Sequence, residues 1–178
     1  MVQEINRKTN QAVLIVLLAG FCTGIFGCNG LGGYSNSSLY TDDVRSVYLE
    51  MFDNDSFRRG VEYELTDAIG KRLEAESPYK IVSSRDRADT VLSGKITSID
   101  LSRYVSERKT GRALEKGVEV VAVVNWKNLK TGAMLIDNKQ VSSSASYSEW
   151  QSQGFDYGAT LAANKLSRII VELMENQW

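Results

Sequence analysis

Apolar and polar positions change period several times along the chain, and each change marks an element. Across residues 44–52, Val47, Leu49 and Met51 alternate with Tyr48, Glu50 and Phe52, the two-residue period of a half-buried strand. After the turn-forming run Asp53-Asn54-Asp55-Ser56 the period lengthens. Val61, Leu65, Ala68, Ile69 and Leu73 fall on one side of a helix, with Glu62, Glu64, Lys71 and Arg72 mostly elsewhere, so a helix is expected over about residues 57–76. Asp55 or Ser56 supplies a side-chain cap for its first amides, and Pro78 stands just past its end.

Residues 79–83 form a short strand candidate, followed by a polar break at 84–87. Residues 90–101 are again rich in strand formers, but the apolar phase shifts between Ile96 and Ile99 and Gly94 sits inside the run. A bulge or local twist reconciles the two phases. Residues 102–117 are polar, with glycines at 111 and 117, and read as a hairpin connection. The longest strand pair spans 118–128 and 133–147, joined by Leu129-Lys130-Thr131-Gly132. Val118, Val120, Ala122, Val124 and Trp126 share one face of its first member. The other face carries Val121 and Val123 between Glu119 and Asn125, so its centre is apolar on both sides. One face packs on helices and the other is free for a partner or ligand. Leu161, Ala162, Leu166, Ile169, Ile170 and Leu173 trace a last helix over about residues 157–176.

Strand, helix, several strands, helix is the order of an α+β two-layer sandwich, with two helices on one face of a mixed sheet of about four strands. Ahead of it lies a different kind of segment. Arg7 and Lys8 precede an apolar stretch, Ala12 to Phe26, of 15 residues and two glycines, too short for a bilayer-spanning helix, which needs about 20. Ile25-Phe26-Gly27-Cys28 reads as a bacterial lipobox, in which residues 1–27 are a signal peptide and Cys28 becomes a lipidated N-terminus. Acyl chains on that cysteine hold a soluble domain at a membrane, each buried CH₂ contributing about 0.8 kcal/mol. Residues 28–43, rich in Gly, Ser and Asn, are a flexible tether, and residues 44–178 a single domain.

Composition narrows the chemistry. Without residues 1–27 the chain keeps 151 residues with 19 basic and 21 acidic side chains, a net charge of −2, which argues against nucleic acid as a partner. There is no histidine, and Cys28 is the one cysteine left after processing. Serine–histidine–aspartate catalysis, histidine-bound zinc and an internal disulfide are thereby excluded, and no catalytic residue, metal site or cofactor is expected. Asp53, Asp55, Glu62 and Glu64 contain carboxylates enough for acid–base work but belong to no motif, and Asp89, opening a strand, reads as a turn former bonding its own backbone. Gly94 reads as close packing. Two basic groups are candidate anion sites: Arg103, Arg108, Lys109, Arg112 and Lys116 in the polar connection, diluted by Glu107 and Glu115, and Lys127, Lys130 and Lys139 around the last hairpin. Trp126 is expected in the core and Trp150 in a half-exposed loop.

With these elements in place, the chain resembles the LPS-assembly lipoproteins, the LptE-like family of the outer membrane. The likeness runs from Cys28 and Gly33-Tyr34 through Val47-Tyr48-Leu49, Phe52-Asp53-Asn54, Glu62, Leu65-Thr66 and Ala68. Its most telling piece is Ala88-Asp89-Thr90-Val91-Leu92-Ser93-Gly94-Lys95-Ile96, which looks like that family's AD-x-VL-x-G-x-I strand. One departure is the insertion of Asn29 to Gly32 between the cysteine and Gly-Tyr. The resemblance implies a non-enzymatic lipoprotein on the periplasmic side of the outer membrane. It implies as partners an outer-membrane β-barrel LPS translocon (LptD-like), whose lumen the domain plugs, and lipopolysaccharide; the basic candidates suit lipid phosphates by their chemistry, while the family's LPS-contacting positions fall outside the matched motifs. A lipid-tethered activator or assembly factor for a peptidoglycan synthase or a secretion pore is the alternative the residues leave open.

Overall fold

The structure, a computed structural model, describes residues 40, 43–106 and 113–175, and only the backbone of 103–106 and 113–114. All described elements belong to one unit, Ser38–Trp178. In order they are β1 (Ser46–Leu49), β2 (Asp53–Asn54), α1 (Val61–Glu76), β3 (Lys80–Ile81), β4 (Thr90–Ser106), β5 (Ala113–Asn128), β6 (Met134–Tyr147) and α2 (Phe155–Glu172). Short 3₁₀ turns at Arg85–Arg87 and Glu149–Gln151 join some of them. The fold is the expected α+β sandwich. Its mixed sheet has six strands in the order β3-β1-β4-β5-β6, with β2 also on β4, more than the expected four because β2 and β3 add two residues each. β1 and β2 run parallel to β4, β1 also runs parallel to β3, and β4, β5 and β6 form an antiparallel meander.

One face of the sheet is covered by both helices. Val118, Val120, Ala122 and Val124 of β5 are fully buried beneath Leu65, Ile69 and Leu73 of α1 and Leu166 and Ile170 of α2. Three side-chain contacts fix the relative direction of the helices. Arg58, just ahead of α1, lies over the ring of Phe155 at the start of α2; Arg72 Nε donates to Ser167 Oγ in the second half of each helix; and Tyr40 Oη donates to Glu76 O and Glu175 Oε1 at the ends. Start meets start and end meets end, so the helices run side by side in the same direction. Tyr40, within the tether region expected from the sequence, is buried and stacks edge-on against Tyr79, which in turn packs on Trp126.

The expected phase shift in β4 is a bulge. Ile96 faces Ala122 and Ser98 faces Val121, leaving Thr97 as the extra residue, after which Ile99 and Leu101 return to the helix side opposite Val120 and Val118. Other boundaries differ from the sequence reading. The first strand breaks after Leu49, and Phe52, not Met51, turns inward: Phe52 is 1% exposed and Met51 52%. The ring of Phe52 fills the space over Gly94. A Cβ there would lie 2.5 Å from Phe52 Cε1 and 2.6 Å from Val123 O, so the glycine serves close packing. Helix α1 starts at Val61 rather than near 57, and neither Asp55 nor Ser56 caps it; Gly60, at φ 102°, takes the cap position and donates its N–H to the Glu62 carboxylate at 2.9 Å. The polar stretch 102–117 is not all connection, because β4 continues to Ser106 and β5 begins at Ala113.

Asp89 does more than bond its own turn. Its Oδ2 accepts from the amides of Arg45 and Ser46, both at 3.0 Å, its Oδ1 pairs with Lys130 Nζ at 2.5 Å, and its own N–H donates to Ser46 Oγ. Its carbonyl takes the Leu129 N–H at 2.8 Å. One residue therefore clips the starts of β1 and β4 to the β5–β6 turn. Lys130 first, then the Arg45 and Ser46 donors, hold its carboxyl down at about 2, against the opposing effect of burial.

Two predictions follow from these contacts. Gly94→Ala should destabilise the domain by about 1–3 kcal/mol because backbone lines the site and cannot yield, whereas Gly70→Ala, at ordinary distance from Leu49 in mid-helix, should stabilise it by about 0.5–1 kcal/mol; urea unfolding of both variants checks the contrast. A carboxyl depressed in the folded state stabilises above its unfolded pKa of 3.8 and loses that contribution as pH falls toward about 2. Asp89→Asn should therefore cost about 1–2 kcal/mol at pH 7, allowing for the exposure of Lys130, and its deficit against the parent should close as denaturation is measured from pH 4 down to 2.

Candidate functional site

The surfaces left over by this packing are the open face of the sheet, the free edge of β6, and the end of the domain where β4 leads toward the β4–β5 connection. On the open face, Val121 and Val123 of β5 sit half-buried between Ser93 and Lys95 of β4 and the exposed Gln140, Ser142 and Ser144 of β6. Ser143 points the other way and donates its hydroxyl to Ala162 O at 2.6 Å, tying β6 to α2. A hollow of about 320 Å³ lies on this side, lined by Ser93, Lys95, Val123, Asn125 and Asn138 among others. Lys95 Nζ pairs with Asp55 at 2.8 Å, both about half exposed, so the face carries hydroxyls, amides and paired charges around a small apolar centre.

At the β4-exit end, exposed apolar side chains gather near the starts of both helices. Phe57 is fully exposed on the β2–α1 loop, beside a hollow of about 380 Å³ that it shares with Arg58, Ile99 and Leu101. Trp150, 70% exposed as expected of a loop tryptophan, and Tyr157 stand at the β6–α2 turn, where Lys116 pairs with Glu149. The Phe57 loop is held from below by a buried polar knot. Asn54 Nδ2 donates to Glu62 Oε2 at 2.6 Å and to Arg58 O at 2.7 Å, its Oδ1 accepts from Ser56, and Arg59 Nη1 donates to Asn54 O. Burial pushes the Glu62 carboxyl up, but the donors Asn54, its own amide and Gly60, with the Arg59 charge, outweigh that and hold it below the usual range.

The carboxylates weighed as an acid–base set do not converge: Glu62 is locked to Asn54, Asp55 pairs with Lys95, and Glu64 is exposed. Among the described residues, no three of Asp, Glu, Cys or His come together as metal ligands. Cys28, Arg108, Lys109 and Arg112 lie outside the described residues, and of Arg103 only the backbone is described, opposite Lys116. The second basic group is dispersed. Lys130 is held by Asp89; Lys127, next to the buried Trp126, faces the open side; and Lys139, opposite the buried Val124, is on the helix side. Trp126 is core as expected, its Nε1 buried without a partner among the described residues, and Tyr147 is also buried, against Gly158. The sequence reading missed Lys165, whose Nζ reaches Ser144 O at the β6 edge, 3.0 Å away; its place on a helix carried no signal of a sheet contact.

Among solved structures, the chain is similar to the rare lipoprotein B from Shewanella oneidensis, with 18% identity over 73% of this chain and 93% of that one and a TM-score of 0.51, a likeness of fold. It is also similar to the hypothetical protein CT253 from Chlamydia trachomatis, at 15% identity, 72% and 94% coverage and TM-score 0.49. Lipoprotein GNA1162 from Neisseria meningitidis follows at 13% identity, 71% and 99% coverage and TM-score 0.44. A sequence search of the curated proteins finds no match. The family model for lipopolysaccharide assembly, LptE, matches residues 44–177, from two residues before β1 to beyond the end of α2, including the Ala88–Ile96 strand, the bulge and both helices. The chain belongs to the LptE lipopolysaccharide-assembly family.

Proposed function

We propose that this chain is a lipid-anchored protein of the outer membrane, facing the periplasm, that binds and plugs a β-barrel LPS translocon and assists delivery of lipopolysaccharide to the cell surface. It acts by binding rather than by catalysis. The observation that carries the reading is the family match across the whole described domain. The one-sided sandwich supports it: barrel interiors are polar, and the open sheet face offers Ser93, Asn125, Gln140, Ser142 and Ser144 to such a wall. Cys28 carries the lipid, the residues between it and the core-packed Tyr40 let the anchored end and the seated body coexist, and Arg103, Arg108, Lys109 and Arg112, around the β4–β5 connection, supply phosphate-binding cations.

Full-length protein, mildly crosslinked in its native envelope and purified, should bring down a large outer-membrane barrel. Cys28→Ala should lower the membrane-bound fraction severalfold. Recovery of a peptidoglycan synthase or a secretion pore with no barrel would instead establish the activator reading.

A further inference from the structure

Among the described residues strand β6 is the long edge of the sheet, the short β3 being the other, and its backbone polarity can be read residue by residue. Thr97 Oγ1 of β4 donates to Val121 O, so odd residues of β5 turn their backbone groups toward β4 and even ones, such as Val120, toward β6. Val120 faces Ser143, so Ser143 bonds inward and its neighbours turn outward, as Ser144 O confirms by accepting from Lys165. Gln140, Ser142, Ser144 and Ser146 therefore present N–H and C=O groups along one line. Apart from the Lys165 bond, these groups meet no partner among the described residues. At one end Asn138, at φ 45°, turns its N–H in to Asn125 Oδ1; at the other Ser148 is bonded by Gln151 and Gln153. Between them the run Val141 to Ser148 has no charge, no proline and no bulge, the devices with which natural edges are blunted.

Charge flanks this edge on its helix side. Lys139 points there from β6, Lys165 lies at Ser144, and Arg168, three residues on, shares the Lys165 face of α2, its Nε 3.5 Å from Glu172 Oε1. We propose that the β6 edge between Gln140 and Ser146 receives an extended segment of a partner protein as an added strand, with acidic side chains at alternate positions meeting Lys139, Lys165 and Arg168. Backbone bonds supply the affinity and the basic rim the selection. A second copy of this chain is a poor occupant: symmetric antiparallel pairing centred on Ser142–Ser144 sets the two Lys165 ammonium groups against each other. The inference rests on the family reading above and names the surface through which the partner is held.

The test places a photo-crosslinking amino acid at position 140 of the full-length chain in its native envelope, and at Tyr63 on the exposed side of α1 as a control. Position 140 should give one discrete crosslink to another protein, mapping to an acidic extended segment. Ser142→Pro removes only an outward N–H, and should keep the thermal midpoint while lowering that crosslink about ten-fold; Lys139→Glu, which leaves the ladder untouched, should lower it comparably if Ser142→Pro fails to fold. Unchanged crosslinking in a folded variant, a crosslink to a second copy, or no crosslink from position 140 while the barrel still co-purifies would each overturn the edge assignment and leave the family reading standing. Absence of any co-purifying barrel overturns both.

Discussion

The even-numbered face of β5 must be removed from water, and the domain is arranged around that requirement. Val118, Val120, Ala122, Val124 and Trp126 form an unbroken apolar row in the central strand, and each side chain of valine size or more contributes about 1.5–3 kcal/mol when fully buried. Neither helix alone is wide enough to cover the row and its flanks in β4 and β6, so α1 and α2 lie side by side over it. The small side chains of Ala159, Ala162 and Ala163 are buried and let the backbone of α2 pack closely, Ala162 O taking the Ser143 hydroxyl of β6. Because both helices are committed to one side, no helix among the described residues covers the other side of the sheet.

The special features of β4 follow from that arrangement. Its first half must admit Phe52 above Gly94, and its second half must bring Ile99 and Leu101 back to the helix side, which the extra residue Thr97 accomplishes. Asp89 then fastens the far end, where β1, β4 and the β5–β6 turn converge, by spending one carboxylate on two amides and a lysine. The AD-x-VL-x-G-x-I stretch thus has a physical content in this chain: Asp89 is a clip, Leu92 and Ile96 are fully buried, and Gly94 is a seat for a ring.

What the sequence revealed was whatever depends on periodicity. The two helices, the long hairpin and the bulge between Ile96 and Ile99 are all local repeats or breaks in a repeat, legible without knowing any partner. The break after Leu49 was hidden because the alternation runs on through Phe52, and only the hole over Gly94 turns that ring inward. The Gly60 cap was hidden because Asp55 and Ser56 are equally good caps in isolation, and the polar knot around Asn54 delays the helix. In the candidate site, Lys127, Lys130 and Lys139 are close in sequence, yet strand alternation and the pull of Asp89 send them to three places. The cation at the β6 edge, Lys165, comes from an element far along the chain.

A one-sided sandwich with a polar open face and an unblunted edge suits a domain that completes itself against another protein, and the account stands on that open side being the covered one in the cell. Lysine-reactive footprinting of the full-length protein in its envelope, against the isolated soluble domain, reads this directly through Lys95 and Lys127, which project from the open face. The account predicts that both lose reactivity severalfold in the envelope. Equal reactivity of Lys95 and Lys127 in the two settings would contradict it.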